Sequence, residues 1–400
     1  MTKLRTSARP PVSGLVLSGG GARAAYQAGV LRAVASILGK RRRSPFPVIC
    51  GTSAGAINAA TLAIHADDFR RGVARLTRWW RKIEVTDVYR ADFATLSRHG
   101  MQFLAAMVGV GKAPENAASM LDNAPLSTLL DDALLLDRLA GQIASGTLSA
   151  LAVNATSYAT GQAVTFFQGA ERHSPWQRTR RRGERCELTI AHLVASTAIP
   201  FIFPAVRIDD EFYMDGSVRQ IAPLSSALHL GARRMIVIAV GQFAGQQANA
   251  TPSPPPYPSF AQVAGHALSS IFLDNLGADL ERLMQMNRLI DLLAPPRLTK
   301  NGLRLHHVDA LVLAPSIDIG PLALAYADRL PAGVRTLLRG FGSTRGTGAN
   351  LLSYLLFDRG FCRALLRQGY IDTMARKDEL AAFLDEQRTS FVPLYWPQFR

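Results

Sequence analysis

Ser53 sits in Gly51-Thr52-Ser53-Ala54-Gly55, between the apolar run Val48-Ile49-Cys50 and the small-residue stretch Ala56–Leu62. A serine flanked at two residues' distance by glycines, where a strand turns sharply into a helix, is the pattern of an exposed nucleophile. The turn strains the serine backbone, and the glycines remove side chains that would collide. The helix N-terminus then favours negative charge developing at the hydroxyl. By itself the pentapeptide also describes an ordinary turn with an N-capping serine. A serine hydroxyl is protonated at neutral pH and needs a base. Tyr213-Met214-Asp215-Gly216-Ser217 offers Asp215. A carboxylate with an ordinary pKa of about 3.9 is a weak base. It becomes useful in an apolar pocket that raises its proton affinity, or with a hydrogen bond that strengthens as the serine attacks. An aspartate before glycine is otherwise a turn residue.

A second glycine turn, Ser18-Gly19-Gly20-Gly21-Ala22-Arg23, follows the apolar run Gly14–Leu17. Successive glycine N–H groups converge on an oxyanion without steric interference, as a tetrahedral acyl intermediate requires. Arg23 adds a fixed charge or orients the loop. Gly19-x-Gly21-x-x-Ala24 also satisfies a dinucleotide-binding pattern, and Lys40-Arg41-Arg42-Arg43 falls in the window where a 2′-phosphate would find cations. That reading leaves the Ser53 turn unexplained. His229, His266, His306 and His307 follow Asp215 in the order a Ser, Asp, His triad would need. His306-His307 precedes the apolar run Val308–Leu313, the wrong end of a strand for an active site in a parallel sheet.

The elements that would position these residues alternate. Strand-like runs at 14–18, 48–50, 148–154, 163–167, 206–208, 234–240 and 309–313 are separated by helical stretches such as 22–38 and 56–62. Alternation of this kind predicts an α/β fold with a largely parallel sheet. Thr251–Pro258 is proline-rich and predicts an exposed loop. From Phe260 to about Leu293 apolar residues recur at helical spacing, which predicts a core-packing helix, with a lipid-facing lid as the sharper alternative. The last eighty residues read as helices tied to the body.

The chain has 400 residues, 48% hydrophobic, with 45 Lys+Arg against 30 Asp+Glu and a formal charge of +15. That length and apolar content suit a large core. The charge favours polyanions such as anionic membrane surfaces, nucleic acid or acidic substrates without selecting among them; the expected partners are a lipid or acyl-ester substrate and, peripherally, anionic membrane, with no specific nucleic acid. The cationic runs Lys40–Arg43 and Arg178–Arg185 read as solvated loops. Three cysteines, Cys50, Cys186 and Cys362, show no disulfide or zinc spacing. Nothing in the first residues reads as a secretory signal, and no uncharged stretch reaches the roughly 18 residues of a spanning helix. A cytoplasmic, reducing location is expected, and no metal or organic cofactor.

Gly19–Arg23, Gly51–Gly55, the run Ala195-Ser196-Thr197-Ala198-Ile199-Pro200-Phe201-Ile202-Phe203-Pro204 and Asp215-Gly216 occur in one order, and together they resemble the patatin-like phospholipase family. The resemblance covers about residues 14–224, with a fainter echo at Phe357–Phe361. It implies a three-layer α/β/α sandwich with a mostly parallel central sheet and a helical C-terminal region. It also implies hydrolysis of lipid acyl esters by a Ser53–Asp215 dyad without histidine. The oxyanion would be held by Gly19, Gly20, Gly21, Ala22 and Arg23. Two positions depart from the family pattern: Ala24 stands for glycine, and Ser217 for glycine or alanine. The expected organisation is a basic tail over 1–13, a hydrolase domain over 14–317 and a helical region over 318–400. A nucleotide-binding protein, or a membrane-associated regulator with a vestigial site, are the alternatives from other classes.

Overall fold

The computed structural model describes residues 12–90, 101, 119–242, 263, 275–292, 306–340 and 349–385. Among the described residues ten strands form one sheet: β1 (Ser13–Leu17), β2 (Val48–Thr52), β3 (Ala150–Ser157), β4 (Ala163–Gly169), β5 (Trp176–Arg178), β6 (Arg181–Arg185), β7 (Val206–Ile208), β8 (Glu211–Asp215), β9 (Arg234–Ile238) and β10 (Asp309–Leu313). The spatial order is β10-β9-β1-β2-β3-β4-β6-β5. From β10 to β3 the pairing is parallel throughout. Beyond β3 the sheet is mixed, with β4 antiparallel to β3 and β6 parallel to β4. The short pair β7–β8 attaches through β8 to the far end of β3.

Alternation along the strands explains why both faces are covered. Leu15, Leu17, Ile49, Leu151, Val153, Ile236 and Ile238 point into one core. Their neighbours Val16, Val48, Cys50, Ala152, Met235 and Val237 point into the other. The first core is roofed by α1 (Ala25–Ile37), α2 (Ala54–Ala63) and α3 (Phe69–Trp80), with α4 (Ala124–Ala133) and α5 (Ile190–Thr197) beside them. The second is covered by Ser225–His229 and by α6 (Asn275–Leu292). The result is the α/β fold the alternation predicts, in the three-layer form the family resemblance implies. The helices α7 (Ala349–Leu355) and α8 (Arg359–Ala375) contribute Leu352, Phe361 and Leu365 to the first core. Asp358 starts α8 by accepting from the N–H groups of Gly360 and Phe361, which have no partner inside the helix.

Each apolar run read as a strand lies in the sheet. The Arg178–Arg185 run differs from expectation, because β5 and β6 pair there as an edge hairpin instead of a solvated loop. Arg182 is held by Glu184 and Glu211, and Arg185 by the carbonyls of Gly169 and Ala170. Those local acceptors offset the charge repulsion that a bare run would carry. Within 260–293, α6 buries Leu276, Leu280 and Ile290 and exposes Met286, Leu289 and Leu292, so one face packs on the core and the other faces solvent. The loop 251–258 and residues 1–11 lie outside the described residues. Among the described residues no helix is long and apolar enough to cross a membrane.

Candidate active site

Both glycine turns leave the carboxyl ends of neighbouring parallel strands, β1 and β2. The chain runs from β1 to one side into β2, while β9 flanks β1 on the other. In an open α/β sheet such a reversal opens a crevice outside the strand ends, where ligands bind.

Ser53 occupies the turn between β2 and α2 with φ 55° and ψ −133°, a left-handed conformation that costs a non-glycine residue about 1–3 kcal/mol. Backbone contacts on both sides enforce it. A Cβ on Gly55 would stand 2.5 Å from the carbonyl oxygens of both Leu17 and Ser18. One on Gly51 would stand 2.4 Å from the Gly55 oxygen. The Ser53 turn is therefore pressed against the end of β1, where the other glycine loop begins. The Ser53 N–H donates to Ser196 Oγ at 2.8 Å, and that hydroxyl donates to the Asn154 carbonyl at 2.6 Å.

Asp215 ends β8, beside Ala155 of β3. Its side chain is 1% exposed. One carboxylate oxygen, Oδ1, accepts from the Ser217 N–H at 2.8 Å. The other, Oδ2, is buried and completes no hydrogen bond in the resting structure. Burial pushes the carboxyl up to about 6, against partial relief from the nearby Ser53 hydroxyl and from Ser217. The Ser53 hydroxyl thus lies close enough to favour the ionised form without closing a bond on Oδ2. Ser217, where the family pattern has a smaller residue, donates to Asp215 through its backbone N–H.

The loop after β1 passes Gly19 and Gly20 and makes a single tight helical turn over Gly21–Ala24 before α1. The leading amides of such a turn have no partner within it. Among the described residues no acceptor takes the N–H of Gly20, Gly21 or Ala22. Gly21 has φ +52°, and a Cβ there would meet the Tyr354 carbonyl at 2.2 Å. Arg23 is 3% exposed and turns toward α7. Its Nε donates to Ser353 Oγ at 2.7 Å and an Nη to Asn350 Oδ1 at 3.0 Å, while the guanidinium lies 4.1 Å over the Tyr354 ring. A buried amide chain fixes the loop from below. Trp80 Nε1 donates to Asn58 Oδ1, Asn58 Nδ2 to Gln27 Oε1, and Gln27 Nε2 to the Ser18 carbonyl.

Sequence reasoning passed over several of these groups. Ser196 lies within the Ala195–Pro204 run, where its neighbours in sequence assign it no role. Asn154 carries a denser set of bonds, donating to the Gly51 carbonyl and Thr52 Oγ1 and accepting from Thr165 and Ser226. The signal for Asn154 was a lone amide closing an apolar strand run, since a buried polar group must be bonded.

The histidines are occupied elsewhere. His65, His173, His192 and His229 pair with Thr61, Ser149, Thr189 and Ser225. His307 sits with Asp291 at the amino end of β10, across the sheet from Ser53. His266 lies outside the described residues. The pairing of the Gly19–Ala24 loop with Lys40–Arg43 as a dinucleotide site is overturned by topology. Lys40–Arg43 precedes β2 at the amino ends of the strands, one length of the 13-residue α1, roughly 20 Å, from the glycine loop.

A family model described as "Patatin-like phospholipase" matches residues 15–228. No curated protein matches the sequence. Among solved structures, VipD from Legionella pneumophila aligns at 13% identity over 92% of this chain and 67% of its own, with a TM-score of 0.35. Human GIVD cytosolic phospholipase A2 in complex with methyl gamma-linolenyl fluorophosphonate aligns at 12% identity over 94% of this chain, with a TM-score of 0.40. The present chain spans 58% of that human protein's length. Full-length ExoU of Pseudomonas aeruginosa, in complex with SpcU, aligns at 17% identity over 87% of this chain and 71% of its own, with a TM-score of 0.25.

Proposed function

The chain belongs to the patatin-like phospholipase family, and on that premise we propose that it hydrolyses carboxylic esters of lipids with Ser53 as nucleophile and Asp215 as base. The observation that carries this reading is the buried Asp215 carboxylate, raised to about 6, with Oδ2 unbonded and the Ser53 hydroxyl beside it. A base poised near neutral pH takes a proton more effectively than an ordinary carboxylate.

In the proposed reaction Ser53 Oγ attacks the ester carbonyl carbon as its proton passes to Asp215 Oδ2. The carbonyl oxygen becomes an oxyanion and meets the N–H groups of Gly20, Gly21 and Ala22. Preorganised donors of this sort are worth about 3–4 kcal/mol each to the transition state. Collapse of the intermediate breaks the bond to the alcohol, which leaves with the proton from Asp215. A water then attacks the acyl-serine, again giving its proton to Asp215, and the fatty acid leaves as Ser53 regains a proton. Gly19 lets the chain enter the loop. Arg23 serves as a positioning residue that ties the loop to α7. Peripheral docking on anionic lipid fits the formal charge of +15.

Labelling by a fluorophosphonate probe, with mass mapping of the modified peptide, tests the reading. Modification at Ser53, absent in Ser53→Ala, together with loss of ester hydrolysis in Ser53→Ala and Asp215→Asn, supports it. Full hydrolysis in either well-folded variant rejects the dyad.

A further inference from the structure

Between α2, α3 and α4 lies a cavity of about 520 Å³ whose lining includes neither Ser53 nor Asp215. Its size falls in the ~300–1,000 Å³ range of small-molecule sites. Ile57, Trp79, Ile83, Leu129, Leu130 and Leu134 give it apolar walls. Arg75, Arg78 and Lys82 line it as well, against a single acid, Asp87. Asp87 is already engaged, accepting from the Glu84 N–H at 2.8 Å. Arg75 is bonded to the Ala133 carbonyl. The side chains of Arg78 and Lys82 are exposed and pair with no carboxylate or acceptor among the described residues. The indole N–H of Trp79 is buried and also lacks a partner.

An apolar chamber with two uncommitted cations at its edge and an unused donor in its wall is complementary to a ligand with one aliphatic chain and one anionic head. A neutral lipid would leave the cations without a role, and a two-chain lipid would need a larger apolar volume. We infer that this cavity binds a long-chain fatty-acid anion, with the chain against Ile57 and Leu130 and the carboxylate at Arg78 and Lys82. Ser53, Asp215 and the glycine loop are not among its lining residues, and Ile57 and Thr61 line it one and two turns along α2 from Ser53. The inference stands whether or not Ser53 is a nucleophile.

Calorimetric titration of full-length Ser53→Ala protein with sodium palmitate below its micellar concentration tests it. Saturable binding is expected, weakened about tenfold or more by the double substitution Arg78→Ala, Lys82→Ala, since charged hydrogen bonds of this strength are lost. Hexadecanol, which has the same chain without the charge, should be indifferent to that double substitution. Leu129→Trp fills the chamber and should abolish binding of both. Both rim side chains are exposed, so the double variant decides the matter if Leu129→Trp fails to fold. Absence of saturable binding, or palmitate affinity unchanged in the double variant, overturns the inference. So does loss of palmitate binding in wild-type protein whose Ser53 carries a long-chain fluorophosphonate, which would make the cavity an arm of the ester site. Failure of Ser53 to react with the probe would count against the hydrolase reading alone.

Discussion

Asparagine in place of Asp215 keeps the planar shape of the side chain and removes its ionisation. In the folded chain the carboxyl is raised from an ordinary 3.8 to about 6, chiefly by burial. Between those values the folded state holds a proton that the unfolded state has released, so stability falls as pH rises through the window from about 4 to 6. Above it the penalty is complete. Two pKa units at 1.36 kcal/mol each make it about 3 kcal/mol. Asp215→Asn escapes this cost and can still accept from the Ser217 N–H. The variant is therefore expected to be more stable than the wild type by up to about 3 kcal/mol at pH 8, and equal to it near pH 3. Urea unfolding followed by circular dichroism at the two pH values measures the difference. The same variant should lose about 10²–10⁴-fold in ester hydrolysis, and wild-type kcat/KM should fall on the acid side around pH 6. A variant less stable at pH 8, or a stability difference that does not change with pH, would refute the reasoning. Either result would mean that the carboxylate is well solvated or satisfied by a partner.

Three further substitutions probe the site. Ser53→Gly and Ser53→Ala both lack the nucleophile, but glycine accepts φ 55° without strain, so it should be the more stable by about 1 kcal/mol in thermal unfolding; the reverse order would show that the turn is relaxed. Gly55→Ala drives a Cβ to 2.5 Å from two carbonyl oxygens, and a loss of about 2 kcal/mol or more with loss of probe reactivity is expected; retention of both would mean the turn and the glycine loop are not in register. Arg23→Ala releases Ser353 and Asn350, so limited proteolysis should cut α7 sooner and unfolding should come earlier, by about 2 kcal/mol. Lowered kcat at unchanged stability would instead place the guanidinium on the oxyanion.

Legibility in the sequence followed the range of the interactions. The glycine-flanked pattern around Ser53 is legible because it is contiguous and Gly51 meets Gly55 and Ala56 within five residues, although the Leu17 and Ser18 carbonyls that crowd Gly55 come from the end of β1. The strand runs were legible because aliphatic residues on a doubly covered sheet have no polar face to interrupt them. Arg182 and Arg185 could not be read as hairpin residues, because their acceptors at Glu211 and Gly169 belong to other strands.

Types and order of the proposed reacting groups were therefore determined by the sequence alone: a serine on a glycine-flanked turn, a second glycine turn before it, and an aspartate ahead of a glycine. Their meeting was decided by tertiary structure. Asp215 reaches Ser53 because β8 runs antiparallel onto the end of β3, next to β2. Its proton affinity comes from burial among residues distant in the chain. Ser196 supports the Ser53 amide across 143 residues, and Arg23 finds Ser353 across 330. Local sterics fix turns and periods, whereas pairing between distant segments depends on which apolar faces can be buried together. That is also why the cationic run at 40–43, near the glycine loop in sequence, lies at the opposite, amino ends of the strands.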